Sequence, residues 1–197
     1  MLKGILIGIV IGFLVVIAGT YFYFAGGYAP VATKGPGIPF EHRMAHMALD
    51  AYLDKLPHPQ SPVPADETDF LAGATVYKEH CSVCHGLPGE PKTAIAEGMF
   101  PPPPQLFRGT GVTDDEVWET YWKVYNGIRM TGMPAFGDRI GETKAWQVSQ
   151  LLKHADNISP AVRNELTSSS SPEVTAPASA PAATPTTPPP ATAPTHH

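Results

Sequence analysis

The amino-terminal end of the chain is one continuous apolar run. Residues 5–24 (ILIGIVIGFLVVIAGTYFYF) contain no charged side chain, and no charge separates Lys3 from Lys34. A helix of about 20 residues extends roughly 30 Å, the thickness of the hydrocarbon core of a bilayer. Residues 21–24 (YFYF) end the run with aromatic rings, which favour the membrane interface. The pattern predicts a membrane-spanning helix within residues 1–27, with Lys3 on the cytoplasmic side.

A cleaved signal peptide is the alternative interpretation of this run. The apolar stretch of a signal peptide is usually about 7–15 residues long, which is shorter than the run found here. The small-residue site Gly27-Tyr28-Ala29 is followed by Pro30, which we expect to hinder cleavage. We therefore expect an uncleaved anchor. Either interpretation places the rest of the chain outside the cytoplasm.

Beyond the apolar run, hydrophobic positions recur at the three- to four-residue spacing of amphipathic helices. Helices are predicted over residues 40–56, from Asp66 as N-cap to about residue 81, from Thr113 as N-cap to about residue 125, and over residues 142–155. No segment shows the two-residue alternation that is typical of a strand. The sequence therefore predicts an all-α fold.

The first of these helices has a distinct apolar stripe. Its members share a three- to four-residue spacing: Phe40, Met44, Met47, Ala48 and Ala51, with Leu56 as a further candidate at the end. Prolines at positions 57, 59, 62 and 64 end the helix and predict an extended connector. Residues 28–65 are accordingly predicted to be a flexible linker that carries one short helix.

Composition and charge divide the remainder of the chain into two parts. Residues 66–157 carry eight Lys/Arg against thirteen Asp/Glu, a net charge of -5, so clustered basic residues for nucleic acid are absent there. Residues 158–197 are rich in Pro, Ala and Thr, with eight prolines among residues 172–194. Such a composition buries too little apolar area to fold. We predict one folded domain over residues 66–157 and a disordered tail over residues 158–197.

The only two cysteines lie in the heptapeptide HCSVCHG, residues 80–86. A disulfide between Cys81 and Cys84 would constrain the unfolded chain little, because the loop it closes is small. A thioredoxin-like redox pair belongs in a βαβ context, which this sequence lacks. A zinc site needs about four ligands and would have to recruit distant histidines.

Haem attachment is the interpretation that uses every residue of the heptapeptide. In the pattern C-x-x-C-H each thiol bonds one haem vinyl group, and the adjacent histidine, here His85, binds the iron. The motif therefore predicts one haem c, attached covalently through Cys81 and Cys84.

With this motif the chain resembles the class I single-haem cytochromes c, in a membrane-anchored bacterial form. The resemblance covers residues 66–157. Gly73 and Tyr77 stand eight and four residues before Cys81, where family members have a glycine and an aromatic residue at the crossing of the first and last helices. The resemblance implies a small cytochrome c-like helical domain around the haem. Trp146, Val148 and Leu151 are the expected partners of Gly73.

The resemblance also implies the second iron ligand. A lone loop methionine is more often core filler than a ligand. The loop NGIRMTGMPAF, residues 126–136, resembles the family loop in which the methionine before proline binds the iron, and this selects Met133 over Met99 and Met130. Family members also fix the ligating histidine with a proline carbonyl in a Pro-x-Leu stretch, which implies Pro104 as the partner of His85.

Further residues are weaker candidates for the haem pocket. Trp118, Tyr121, Trp122 and Tyr125 precede the methionine loop, and we expect some of them to wall the haem. Arg108 and Arg129 are candidate partners of the haem propionates, with solvation as the alternative. His42 and His46 lie one helical turn apart, which suits a metal, although a solvated helix face is the more common outcome. No evident partner is found for His58 or His154.

The function implied by the resemblance is electron transfer rather than catalysis. A His/Met-ligated haem would pass single electrons between redox proteins or respiratory complexes, with no small-molecule substrate. The domain would face the periplasm from a bacterial inner membrane. Two alternatives are a haem subunit of a larger oxidase or dehydrogenase, docked through the helix over residues 40–56, and a haem peroxidase or ligand sensor with a displaceable sixth ligand.

Overall fold

The computed structural model describes residues 2–35 and 37–168, and all regular secondary structure in this part of the chain is helical. The helices are α1 (Leu2–Ala25), α2 (Glu41–Leu53), α3 (Glu67–His80), α4 (Ser82–His85), α5 (Ala94–Gly98), α6 (Val117–Asn126), α7 (Gly137–Ile140), α8 (Glu142–Lys153) and α9 (Pro160–Thr167). The predicted all-α fold is confirmed. Most of the predicted tail lies outside the described residues.

Helix α1 is the candidate membrane anchor. Its 24 residues extend about 36 Å at 1.5 Å per residue, which is enough to cross a bilayer. All of its described residues are exposed to the surroundings of the protein. Among the described helices, it alone has the length and apolar composition of a membrane span.

The domain is built on a close crossing of α3 and α8. The α3 helix begins as predicted, because the Asp66 carboxylate accepts a hydrogen bond of 3.0 Å from the backbone N–H of Asp69. At the crossing, Gly73 is buried against the Gln147 carbonyl and the Leu151 Cβ. The main core forms around this contact from buried residues of several helices: Ala74, Val76, Tyr77, Leu106, Val124, Ala145, Val148, Leu151, Leu152, Ile158, Val162 and Leu166.

The prediction that Thr113 caps the next helix is wrong. The Thr113 hydroxyl donates to the Thr110 carbonyl at 2.6 Å, within a turn that precedes the helix. Asp115 also remains outside the helix, since its carboxylate pairs with Lys123 at 2.6 Å and its carbonyl accepts from Lys153 at 2.8 Å. Helix α6 therefore begins at Val117.

The predicted end of the domain at residue 157 is also wrong. Residues 160–167 form α9, capped by the Ser159 hydroxyl and packed on α3. Val162 and Leu166, one helical turn apart, are fully buried. The Lys78 ammonium reinforces the contact through the Glu165 carboxylate at 2.9 Å. The folded domain thus continues to about residue 168.

Helix α2 packs on the domain through a face other than the predicted apolar stripe. Met44 and Met47 of the predicted stripe are exposed, whereas Leu53 is buried and Leu49 is half-buried. Leu53 forms a second apolar cluster with Trp118 and Trp146. Trp146 is thus a neighbour of α2.

The connector after α2 is attached to the domain, contrary to the prediction of a flexible linker throughout residues 28–65. The His58 ring stacks on Trp118 with a centroid distance of 4.4 Å. The Gln150 side chain donates a hydrogen bond of 3.2 Å to the Val63 carbonyl. These contacts, together with those of Leu53, attach residues 49–63 to the side of the domain formed by α6 and α8.

Candidate functional site

The two cysteines and His85 lie within about one turn of helical backbone. Helix α3 ends at His80, and α4 continues from Ser82 to His85. The backbone N–H groups of Cys84 and His85 donate to the Cys81 carbonyl at 3.1 and 2.9 Å. Residues at i, i+3 and i+4 share one face of a helix. Both thiols and the imidazole therefore project from the same side of the turn.

The His85 ring has one nitrogen fixed by the backbone. Nδ1 lies 2.8 Å from the Pro104 carbonyl oxygen, so the predicted hydrogen bond is present. A carbonyl oxygen only accepts, which means that Nδ1 carries the hydrogen and Nε2 keeps its lone pair for a metal. Burial lowers the pKa of His85, and the bond to Pro104 acts in the opposite direction. The net effect favours the neutral imidazole, which is the ligating form.

Gln105 is a site residue that the sequence reasoning missed. Its side-chain N–H donates to the His85 carbonyl at 2.9 Å, so adjacent residues hold the ring and the backbone of the same histidine. The Gln105 side chain also lies close to Gly86, since a Cβ at position 86 would stand 3.1 Å from the Gln105 amide oxygen. The sequence feature that could have identified Gln105 is its position between Pro104 and Leu106 in the Pro-x-Leu stretch.

Tyr77 anchors the end of the cysteine turn. Its hydroxyl donates a hydrogen bond of 2.7 Å to the Gly86 carbonyl. The Tyr77 ring is fully buried and packs edge-on against Phe107 at a centroid distance of 5.0 Å. Burial raises the pKa of Tyr77 strongly, with a smaller contribution from Cys81. The phenol is therefore a neutral donor that ties α3 to the residue after His85.

The Cys81 thiol differs from the reactive thiol of a redox pair. Cys81 and Cys84 are both free, so they form no disulfide. Burial, and then the neighbouring Cys84, raise the pKa of Cys81 to about 12. Reactive redox cysteines and metal-binding thiolates have lowered pKa values instead. The described residues also include no group of three or more His, Cys, Asp or Glu that could hold a metal ion.

Met133 lies in a loop that is attached to the end of α6. The Met133 carbonyl accepts from the Ile128 N–H at 3.2 Å, and the Met133 N–H donates to the Thr131 hydroxyl at 3.1 Å. Gly127 has a φ of +70°, and a Cβ there would stand 2.6 Å from the Ala135 nitrogen. This backbone holds the half-buried Met133 side chain against the same core that Cys81 contacts.

The other two methionine candidates lie differently. Met130 is 80% exposed. Met99 is half-buried, and a Cβ at Gly132 would collide with its methyl group. Met99 therefore packs against the backbone of the loop directly before Met133.

The four aromatic candidates divide between the two clusters. Tyr121 and Tyr125 pack against the main core, together with Cys81 and Met133. Trp118 and Trp122 belong to the cluster beneath α2. Tyr121 also stacks on Trp146 at 3.9 Å and so joins the clusters. Burial raises the pKa of Tyr121, and the Glu142 carboxylate and Tyr125 raise it further.

The remaining candidates have other surroundings. Arg108 donates to the Glu90 carbonyl at 2.8 Å, and Arg129 is exposed. His154 Nδ1 lies 2.9 Å from the Gln150 carbonyl oxygen and donates a hydrogen bond to it, because a carbonyl oxygen only accepts. His46 is on the exposed side of α2, and the His42 side chain lies outside the described residues.

The donor set fits a haem. Two thiols and an imidazole project from one side of a turn, a backbone carbonyl leaves the imidazole Nε2 for iron, and a thioether contacts the same apolar core. These are the groups that a c-type haem requires. Cys81, Cys84, His85 and Met133 are the residues that could hold it.

Comparison with known families agrees with this chemistry. Residues 68–152 match the family described as cytochrome C oxidase, cbb3-type, subunit III. Comparisons with curated proteins and with solved structures gave no significant match. The matched span begins in α3 and ends in α8, so it contains the cysteine turn, Pro104 and the Met133 loop.

Proposed function

We propose that the protein is a membrane-tethered electron carrier with His/Met-ligated haem c, in which residues 68–152 form a c-type cytochrome domain of the single-haem, class I-like kind. The domain is a haem-binding, electron-transferring cytochrome. Cys81 and Cys84 hold the haem through thioether bonds. His85 and Met133 would supply the two protein ligands of the iron.

The observation that carries the ligand assignment is the 2.8 Å contact between His85 Nδ1 and the Pro104 carbonyl. It fixes the tautomer and the orientation of the ring, and it makes Nε2 a better donor to a metal. The Gln105 bond to the His85 carbonyl restrains the same residue from its backbone side. A ligand held from both ends suits a carrier, because its position is unchanged between oxidation states.

The bound haem supplies an iron that gains or loses one electron. The chain's own residues then set the conditions for that exchange. Met133 provides a soft thioether, which favours the ferrous state and raises the reduction potential. The apolar side chains around Cys81 and Met133 exclude water from the same region. No general acid, base or nucleophile takes part.

The exposed, apolar α1 supports membrane attachment. We place α1 in a bacterial inner membrane and the haem domain on its periplasmic face. A tethered domain meets membrane-bound redox partners at a raised effective concentration. Because residues 49–63 pack on the domain, the segment that can provide reach is residues 26–40.

Two measurements test whether the haem is attached covalently and whether the sixth position of the iron is occupied by a protein ligand. Full-length protein is produced with a c-type maturation system, denatured and extracted with acidified acetone. The haem should stay on the wild-type chain and be released from the Cys81→Ser/Cys84→Ser variant. Carbon monoxide is added to a separate, native sample of the ferrous wild-type protein. An unchanged spectrum is expected, whereas extractable haem would contradict covalent attachment, and rapid carbon monoxide binding would favour a ligand sensor or peroxidase.

A fixed subunit of an oxidase is the second candidate function. It is favoured by the description of the matched family as an oxidase subunit. Solubilisation of native membranes in a mild detergent separates the two candidates. A free carrier migrates as a small species, whereas a subunit co-migrates with oxidase activity and its additional haems.

A further inference from the structure

Helix α2 has apolar side chains on two opposite faces. At about 100° per residue, Met44, Met47 and Ala51 lie within about 60° of one another. Leu49 and Leu53 lie roughly 180° away from that group. The Leu49/Leu53 face is the one that packs on the aromatic cluster of the domain. The opposite face therefore points away from the domain.

This outer face is exposed although it is apolar. Phe40, Met44 and Met47 are 71%, 62% and 60% exposed. We call these three residues, with Ala48 and Ala51, the outer stripe. Contiguous exposed apolar side chains of this kind mark a contact with a partner or a membrane.

The turn before α2 fixes the start of the outer stripe. The Ile38 N–H donates to the Glu41 carboxylate at 3.0 Å, and the Glu41 N–H donates to the Ile38 carbonyl at 3.0 Å. Phe40 between them has a φ of +69°, a conformation that is uncommon for a bulky residue. The turn presents the Phe40 ring to the surroundings rather than to the domain.

The position of α2 in the chain indicates what covers the outer stripe. Only residues 26–40 separate α2 from the end of α1, and a fully extended segment of this length spans about 50 Å at most. Exposed apolar side chains continue through it, at Tyr28 and Val31. A membrane that contains α1 is therefore within reach of α2.

Charge favours contact with an anionic membrane through α2 over contact through the acidic domain. Residues 26–55 carry Lys34, Arg43 and Lys55 against Glu41, Asp50 and Asp54, a net charge of 0 (3 - 3), whereas residues 66–157 carry -5. Anionic lipid headgroups attract juxtamembrane basic residues and repel an acidic surface. A helix that exposes Phe and Met side chains on one face, in a segment without net charge, is suited to lie in the headgroup region.

We propose that the outer stripe of α2 inserts into the headgroup region of the outer leaflet, while Leu49 and Leu53 hold the haem domain on the opposite side. Helix α2 thus acts as a spacer that sets the height and tilt of the domain above the membrane. The haem then meets membrane-embedded redox partners in one orientation. This inference rests on α1 spanning the membrane, as proposed above.

Nitroxide labels on the full-length, haem-loaded protein test the proposal. The protein is placed in nanodiscs of phosphatidylcholine and phosphatidylglycerol, and single cysteines are introduced by Met47→Cys, Ala45→Cys and Val15→Cys. Position 47 lies in the outer stripe, exposed position 45 lies on the other side of α2, and position 15 lies in α1. Unchanged visible spectra establish that each variant holds its haem normally.

Accessibility to oxygen, which concentrates in lipid, is compared with accessibility to a water-soluble nickel chelate. Lipid insertion predicts a ratio of oxygen to nickel accessibility several-fold higher at position 47 than at position 45. Equal ratios at these sites overturn the inference, as does low accessibility of position 47 to both reagents, which indicates a protein contact. The label at position 15 distinguishes insertion of α2 from membrane anchoring by α1. Exposure of position 15 to water would overturn the proposal that α1 spans the membrane.

Discussion

Gly73 of α3 lies so close to Gln147 of α8 that a Cβ at position 73 would stand 2.5 Å from the Gln147 carbonyl oxygen. The same Cβ would stand 3.1 Å from the Leu151 Cβ. Neither a backbone carbonyl nor a Cβ can move aside without displacing its helix. The crossing that supports the cysteine turn therefore requires glycine.

Gly73→Ala should destabilise the domain. Alanine in an exposed helix usually stabilises by about 1 kcal/mol relative to glycine, but overpacking at this contact costs about 1–3 kcal/mol. Denaturant unfolding, followed by circular dichroism, measures the change. Gly98→Ala is the matched control, because a Cβ there meets no atom within 4 Å. An equal or higher stability of Gly73→Ala would contradict the close crossing.

Tyr77→Phe should change the dependence of stability on pH. The variant loses the hydrogen bond to Gly86, which at neutral pH costs about 0.5–1.5 kcal/mol. The pKa of Tyr77 is raised in the folded state, so above about pH 10 the unfolded wild-type chain loses a proton that the folded chain keeps. Wild-type stability therefore falls as the pH rises past that point.

The Tyr77→Phe variant does not lose stability by this deprotonation. The unfolding free energy of the wild type should therefore exceed that of the variant by less at alkaline pH than at neutral pH. Unfolding free energies of both proteins at neutral pH and at about pH 11 provide the comparison. Tyr121, whose pKa is also raised, is retained in both chains and cancels in the difference. A wild-type advantage that is constant or increases with pH would contradict a buried neutral phenol at position 77.

Leu53→Ala should destabilise the cytochrome domain although Leu53 precedes its first core helix. The side chain is 4% exposed and packs with Trp118 and Trp146, so truncation should cost about 2–5 kcal/mol. Met47→Ala on the outer stripe of α2 should cost less than about 0.5 kcal/mol in detergent solution. Thermal unfolding monitored at the haem band compares the two. Equal small effects would mean that α2 is a detached part of the linker.

Local patterns were sufficient to predict the cysteine turn and its neighbours. Cys81, Cys84 and His85 lie within one helical turn, so their relative placement depends on backbone geometry alone. The Pro104 contact was predicted from a family pattern, and the hydrogen bond is present. Gln105 was missed because its bond to the His85 carbonyl depends on how two distant segments meet.

The errors arose where tertiary packing chooses between local alternatives. Helix α2 has two apolar faces, and periodicity favoured the longer stripe through Met44 and Met47. Only the position of Trp118 and Trp146 decides that the Leu53 face is buried. Similarly, α9 has just two core residues, Val162 and Leu166, and their burial requires the surface of α3.

The proposed electron-carrier function depends on Met133 as the second iron ligand. Its direct test is the visible and near-infrared spectrum of the full-length ferric protein, recorded beside Met133→Ala and Met130→Ala. Met130 is the matched control, since its side chain is 80% exposed three residues away. We expect a weak sulfur-to-iron charge-transfer band that is lost only in Met133→Ala. A band retained in Met133→Ala, or a high-spin wild-type spectrum, would contradict it.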